Sequence, residues 1–217
     1  MEEEIQKIPE NTRPTLLLQC CCAPCSSYVL SVLAQYFDVL VYYYNPNIHP
    51  ESEYKKRGEQ FKKLFQGGNY ETKVRWIPAE YDPERFFDAV KGLESEPEGG
   101  ARCTKCFGLR LRKTARKAKE LGADYFTTTL SVSPHKNAQL LNEIGIQLEK
   151  EYGVKFLRAD FKKKEGYKQS IVLSREYDLY RQDYCGCVFS CARRKKKRCR
   201  RHPNNTITPP KTPPVFE

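Results

Sequence analysis

The chain has no run of about 18 apolar residues, so its sequence offers no membrane span. Its N-terminus, Met1-Glu2-Glu3-Glu4-Ile5, is acidic and lacks the apolar stretch of a secretory signal. The expectation is a cytoplasmic protein, in a compartment where stable disulfides are rare. No glycine-rich phosphate loop is present, which argues against an enzyme that activates a nucleoside triphosphate. There is also no internal repeat. Against these absences stands an excess: ten cysteines in 217 residues. In a cytoplasmic chain such a count points to metal binding or catalysis, not to staples.

An isolated cysteine is commonly a buried, inert core residue. The distribution here is different. Leu16-Leu17-Leu18-Gln19 runs straight into Cys20-Cys21-Cys22-Ala23-Pro24-Cys25, and two further pairs follow at Cys103-Thr104-Lys105-Cys106 and Cys185-Gly186-Cys187. Inert thiols do not need that crowding. Metal centres and redox chemistry do.

Charge is as uneven as cysteine. The net charge is +11, and Arg193 to Arg201 carries eight positive charges and no acid, which leaves +3 for all other residues. Beyond it the chain is polar and Pro-rich. Residues 193–217 read as a basic, mobile tail that either attracts phosphates or is simply solvated. Residues 1–192 read as a single α/β catalytic domain.

Within that domain, strand and helix patterns alternate. Strands are expected at 15–18, 37–44, 73–78, 125–130 and 154–157. Helices are expected from Pro24 on, then at 52–65, 83–90, 103–121, 137–152 and 167–177. Alternation of this kind predicts a Rossmann-like parallel sheet with helices on both faces. The topology is similar to that of ATP-pyrophosphatase enzymes, without their Ser-Gly-Gly-x-Asp-Ser loop. Ligands of such sheets bind beyond the carboxyl ends of the strands. Four loops leave those ends, at 19–27, 45–52, 79–82 and 131–136. They bring the first cysteines together with Asn45, Asn47, His49, Ser131, Ser133, His135 and Lys136 as candidate ligand-binding groups.

The thiol spacings leave alternatives open. Cys22 and Cys25 are spaced Cys-x-x-Cys, as are Cys103 and Cys106. Two such pairs fit zinc or an iron–sulfur cluster. Adjacent residues tend to diverge, so Cys22 with Cys25 is the easier chelate. Cys185-Gly186-Cys187 could close only a small, strained disulfide ring, readily reduced. The same pair could bind metal, or form a tight turn with inert thiols.

With these motifs in hand, the chain resembles the epoxyqueuosine reductase QueH family. The resemblance rests on Cys21-Cys22-Ala23-Pro24-Cys25, Tyr44-Asn45-Pro46-Asn47-Ile48-His49-Pro50 and Arg102-Cys103-Thr104-Lys105-Cys106. It rests also on Thr128-Thr129-Leu130-Ser131-Val132-Ser133-Pro134-His135-Lys136 and on Tyr180-Arg181-Gln182-Asp183-Tyr184-Cys185-Gly186-Cys187. It covers roughly residues 15–190. It implies two-electron removal of an epoxide oxygen from epoxyqueuosine in tRNA, the last step of queuosine synthesis, with a 4Fe–4S cluster and without cobalamin. It implies Cys21, Cys22, Cys103 and Cys106 as cluster ligands and Cys185 with Cys187 as a redox-active pair. Cys25 is a candidate ligand for an adjacent mononuclear iron. Cys20 is extra, which leaves open which thiols of that run are ligands. The implied partners are tRNA and an unidentified electron donor. The modified base would need aromatic surface, for which Tyr43, Tyr44, Tyr54 and Tyr184 are candidates. Competing readings are a cluster-dependent tRNA-thiolating enzyme and a non-catalytic zinc RNA-binding protein.

Overall fold

The computed structural model describes residues 1–68, 70 and 73–201, with side chains to residue 194. Short α1 (Glu2–Ile5) precedes β1 (Thr15–Gln19), α2 (Ala23–Leu33), β2 (Asp38–Tyr42), α3 (Glu51–Gly68) and β3 (Val74–Ile77). Then come α4 (Pro83–Val90), α5 (Ala101–Glu120), β4 (Tyr125–Thr128), a 3-10 turn (Thr129–Val132) and α6 (Ala138–Tyr152). The chain continues through β5 (Lys155–Phe156), α7 (Gly166–Glu176) and α8 (Val188–Arg201). No helix among the described residues is long and apolar enough to cross a membrane.

The strands form one parallel sheet in the order β3-β2-β1-β4-β5. Leu16, Leu17 and Leu18 of the central strand are fully buried, and period-2 geometry sends them to opposite faces. Leu16 and Leu18 pack with Val29, Leu30 and Leu33 of α2 and Phe61 and Leu64 of α3. Leu17 packs on the other face with Phe107, Leu111 and Ala115 of α5 and Leu148 of α6. A strand covered on both sides must be apolar at every position, which explains the continuous run. Each fully buried leucine contributes about 1.5–3 kcal/mol.

Local signals set the ends. Pro24 occupies the first turn of α2, where a missing N–H costs nothing. Asn137 caps α6 by accepting from the N–H groups of Gln139 and Leu140, and Gly153 ends it at φ +73°. Two differences from the sequence reading stand out. The expected strand 125–130 stops at Thr128, because the Thr128 hydroxyl accepts from Leu130 N–H and turns the chain into the 3-10 segment. The expected boundary at 193 falls inside α8. Lys and Arg are good helix formers, so the start of the basic run continues a helix that begins at Val188. The expected mobile tail beyond 201 lies outside the described residues.

Helix α7 lies on α2, and the contact is close at Gly166. A Cβ there would sit 2.0 Å from the Phe161 carbonyl oxygen and 2.4 Å from the Tyr28 ring. Backbone cannot yield as a flexible side chain can. Gly166→Ala is expected to lower stability by about 1–3 kcal/mol, the usual cost of overpacking. Chemical denaturation checks this; an unchanged midpoint would mean that the α2–α7 contact is soft.

Candidate active site

Strand β1 lies between β2 and β4, so the chain leaves it toward one edge of the sheet and later returns on its other side. At such a switch point the loops beyond the carboxyl ends part and open a crevice. A cavity of about 540 Å³ lies there. Its walls come from the segments following β1, β2 and β4, and segment 181–194 contributes the remaining side. The loop at 79–82 contributes nothing to the lining; Tyr81 instead donates its hydroxyl to the Ile48 carbonyl at 2.9 Å.

The first thiol group follows β1. Cys22 is the extended N-cap residue of α2 and Cys25 lies within its first turn. This strand-to-helix corner overcomes the divergence expected of neighbours: the sulfurs of Cys21 and Cys22 are 3.7 Å apart. Cys21, Cys22 and Cys25 all have their sulfurs within 4.8 Å of one another. Among the described residues no other set of three or more His, Cys, Asp or Glu side chains is close enough to share an ion. Cys20 points elsewhere. It is fully buried with Leu16 and Leu18, and burial pushes its thiol well up. Its sulfur lies in the core, apart from the trio.

The three thiols are not equivalent. Hydrogen bonds from Cys22 and then Cys25 hold Cys21 well below the usual thiol range, against the effect of burial. The charges of Lys136 and Arg110 act in the same direction. Cys22, which gives its hydrogen bond to Cys21, is pushed up to about 12, and Cys25 is also pushed well up. One sulfur held low between two held high is a soft donor set that could hold a metal. Contacts around it fix its orientation. Cys21 N–H donates to Thr129 Oγ1 at 3.1 Å, and Gln182 Nε2 donates to Cys22 Sγ at 2.8 Å.

The second thiol group is Cys185 with Cys187. Gly186 turns the chain at φ +113°, a conformation that L side chains rarely adopt. Cys185 is held well below the thiol range, chiefly by a hydrogen bond from Cys187 and then by Lys136 and Arg110. Cys187 is raised by the same hydrogen bond and by burial. Lys136 Nζ stands 4.0 Å from Cys185 Sγ. All nine cysteines with described side chains are free thiols.

The remaining candidates divide. Cys106 is buried with Phe86, Val90 and Cys187, and burial lifts its thiol to about 11. Cys103, one turn earlier on α5, accepts from Gly99 N–H at 3.3 Å. Neither joins the close trio. Asn45, Asn47, His135, Lys136 and Tyr184 line the cavity. Asn45 is buried, donates to the Cys20 carbonyl at 2.8 Å and accepts from Arg110. His49 does not line the cavity. Its N–H donates to the Gly186 carbonyl at 3.0 Å and its ring meets the Phe87 edge. Tyr43 and Tyr44 are core side chains, and Tyr54 packs on Tyr43 and Tyr81.

Sequence reasoning missed Arg57, Arg110 and Gln182. Arg57 and Arg110 are 2% and 1% exposed and both line the cavity. A signal existed. Arg57 shares the i, i+4, i+7 stripe of Phe61 and Leu64, and Arg110 sits between Phe107 and Leu111 with Thr114. An arginine on a helix's apolar stripe needs a buried partner.

Comparison with known proteins bears on this constellation directly. A family model described as Epoxyqueuosine reductase QueH matches residues 16–193. The chain belongs to that family. An epoxyqueuosine reductase QueH of Streptococcus pyogenes serotype M1 is 50% identical over 184 residues, covering 83% of this chain and 72% of the relative. One from Staphylococcus epidermidis is 48% identical, covering 83% and 78%. One from Thermotoga maritima is 39% identical, covering 84% and 93%. The QueH match takes in both thiol groups and every cavity residue named above except Arg194, and it stops at the start of the basic run.

The charge relay in this QueH chain yields a pH prediction. A depressed thiol pKa keeps Cys185 ionised, and therefore alkylatable, to lower pH. Removing the Lys136 charge raises that pKa. Lys136→Met is expected to move the pH midpoint of Cys185 alkylation upward and to slow alkylation at neutral pH. Rates read by peptide mass check it; an unmoved midpoint would leave the Cys187 hydrogen bond and the Arg110 charge as the causes.

Proposed function

We propose that this chain reduces epoxyqueuosine in the tRNA anticodon to queuosine, using thiol-held iron and its own dithiol, without cobalamin. The observation that carries the reading is the meeting of two unlike thiol groups on one cavity, inside the region that the QueH family model matches. The first suits metal and the second suits redox exchange.

The donor set fits iron. Three sulfurs lie within 4.8 Å, one of them held as thiolate, at the mouth of a cavity flanked by cations. In this reading Cys21, Cys22, Cys103 and Cys106 hold a 4Fe–4S cluster, and Cys25 serves an adjacent mononuclear iron. Cys103 packs against the same apolar cluster as Cys21, which supports α5 as the second source of ligands. When bound, such a centre supplies a Lewis acid and a path for single electrons.

The chain's own residues supply the rest. Cys185, as thiolate, and Cys187 give up two electrons and the one proton of Cys187 as a bond forms between their sulfurs, and solvent supplies the second proton, the one Cys185 shed on ionising. The epoxide's two C–O bonds break, its carbons form a double bond, and the oxygen leaves as water. An external electron donor then returns the disulfide to the dithiol. Lys136 and Arg110 keep Cys185 ionised for its part in this exchange. Asn47, whose buried Oδ1 has no partner, His135 on the rim and Tyr184 contact the modified nucleoside.

The partner carries phosphate, and α8 carries the charge to meet it. Arg193 and Arg194 line the cavity, paired with Glu98 and Asp183, and six further basic residues follow to Arg201. The reading assigns the protein to the cytoplasm, where tRNA and reduced thiols coexist.

Two experiments test this. Purified without oxygen, the wild-type chain is expected to contain about four cluster irons and four sulfides, with further iron at Cys25. It should convert epoxyqueuosine in tRNA. Cys187→Ser should keep the iron and lose turnover at least about a hundredfold. Wild-type turnover by that variant sinks the dithiol role; zinc without sulfide in the wild type favours the RNA-binding reading. Secondly, changing Lys195, Lys196, Lys197 and Arg198 to Gln should flatten the salt dependence of tRNA binding. The expected loss is about 0.7–0.9 in log–log slope for each phosphate contact removed. An unchanged slope would take the basic helix out of the interface.

A further inference from the structure

Arg57 is fully enclosed, yet its guanidinium reaches in three directions. Nε donates to Glu53 Oε1 at 2.7 Å, one turn earlier on α3. Nη1 crosses to the segment far along the chain and donates to the Cys185 carbonyl at 3.1 Å. The plane lies 5.0 Å from the centre of the Tyr184 ring. Nη2 is buried with no partner. An i,i+4 ion pair on a helix is worth little by itself, and burying it carries a desolvation penalty. Intrahelical pairing does not explain why an arginine is enclosed here.

We propose that Arg57 is a positioning residue for the Cys185–Gly186–Cys187 dithiol. The inference rests on the redox reading of that pair. A peptide unit is planar, so tethering the Cys185 carbonyl fixes the plane that links Cys185 to Gly186. His49 N–H holds the next carbonyl, that of Gly186, at 3.0 Å. Two successive carbonyls are therefore clamped, and the Cys185 sulfur is left facing the cavity and Lys136. Gly186 is matched to the arginine. A Cβ at 186 would stand 2.9 Å from Arg57 Nη1 and 3.0 Å from Ile48 Cγ1. A side chain at 186 would push the guanidinium away from the Cys185 carbonyl. Lysine could not replace it, since a single ammonium lacks the planar fork that serves Glu53 and the carbonyl together.

The clamp is made while both thiols are free, so it stabilises the dithiol against the disulfide. The test is the exchange of the chain's dithiol with glutathione disulfide, which yields the chain's disulfide and two glutathione thiols. It is read by alkylation and mass of the peptide holding Cys185 and Cys187, alongside steady-state kinetics on tRNA. Arg57→Lys is expected to shift the equilibrium about tenfold toward the disulfide, about 30 mV. Turnover should fall between about tenfold and a hundredfold, with KM for tRNA within about twofold. Glu53→Gln keeps the guanidinium but frees its lateral anchor. It should shift both quantities in the same direction by less, and it decides the matter should Arg57→Lys not fold. An unmoved or opposite equilibrium in a folded variant, with the wild type cycling normally, overturns the role of Arg57 alone. A wild-type chain that never closes the Cys185–Cys187 bond removes the dithiol reading, and this inference with it.

Discussion

Arg110 is 1% exposed, and no carboxylate pairs with it among the described residues. A buried cation without a counter-charge is costly. Its hydrogen-bond partner is a neutral amide, Asn45, so the compensating charge must come from elsewhere. Among the groups that feel Arg110 are the thiols of Cys21, Cys185 and Cys106, and the same three feel Lys136. Two cations thus face two low-held sulfurs at the carboxyl end of the sheet, and each pair lowers the cost of the other's charge. The cations add to the hydrogen bonds from Cys22 and Cys187 that chiefly hold those thiols low. Without the sulfurs, two positive charges would stand in a half-enclosed cavity. The Gln19, Asn45 and Thr128 network carries this arrangement on the sheet itself, because Gln19 accepts from Thr128 and donates to the Tyr44 carbonyl.

That balance shapes the redox chemistry assigned to the site. Stabilising a thiolate stabilises the reduced form of its pair and raises the potential of the couple. On the proposed reading, a Cys185–Cys187 dithiol facing two cations acts as a mild reductant. The glycine turn acts in the same sense, since a ring closed over one residue is strained. A mild reductant serves a reaction that is itself downhill, and loss of a strained epoxide oxygen as water is of that kind. Such a dithiol is also readily regenerated by ordinary cellular thiols, which leaves the donor unspecified by the chemistry of the site.

The architecture was legible because the sheet is buried on both faces. That constraint writes apolar runs such as Leu16 to Leu18 and Val39 to Tyr42 into the sequence, and α4 was readable at its observed ends from Asp82-Pro83 and its apolar face. The thiol groups were legible from crowding alone. What escaped notice depends on contacts between residues far apart in the chain. Nothing local says that Arg57 will meet residue 185, or that His49 will serve through its backbone and not its ring. Cys25 shows the same limit. Spacing made it an easy chelating partner of Cys22, but only the corner between β1 and α2 brings Cys21 to both. The helical part of the basic run in α8 was hidden because a charge run reads as solvated tail whether or not it is helical.

Residues 178–187 have almost no regular structure, yet they carry one of the two thiol groups. Ordering such a stretch costs about 1–2 kcal/mol per residue in backbone entropy, so tethers must offset it. They are spread along its length. Lys63 holds Asp178, Gln182 holds Cys22, Arg57 holds the Cys185 carbonyl and His49 holds that of Gly186. The segment then enters α8, where Cys187 Sγ accepts from Ser190 N–H at 3.4 Å and Ser190 Oγ donates back to the Cys187 carbonyl at 2.9 Å. A cysteine thus does the work of a helix cap. One turn on, Arg194 reaches back to Asp183 and Arg193 to Glu98. The Cys185–Cys187 pair and the helix that bears the basic run are consequently one continuous clasp across the cavity. The position of the Cys187 sulfur and the start of the helix therefore depend on a single stretch of backbone, and the tethers that order the one also order the other.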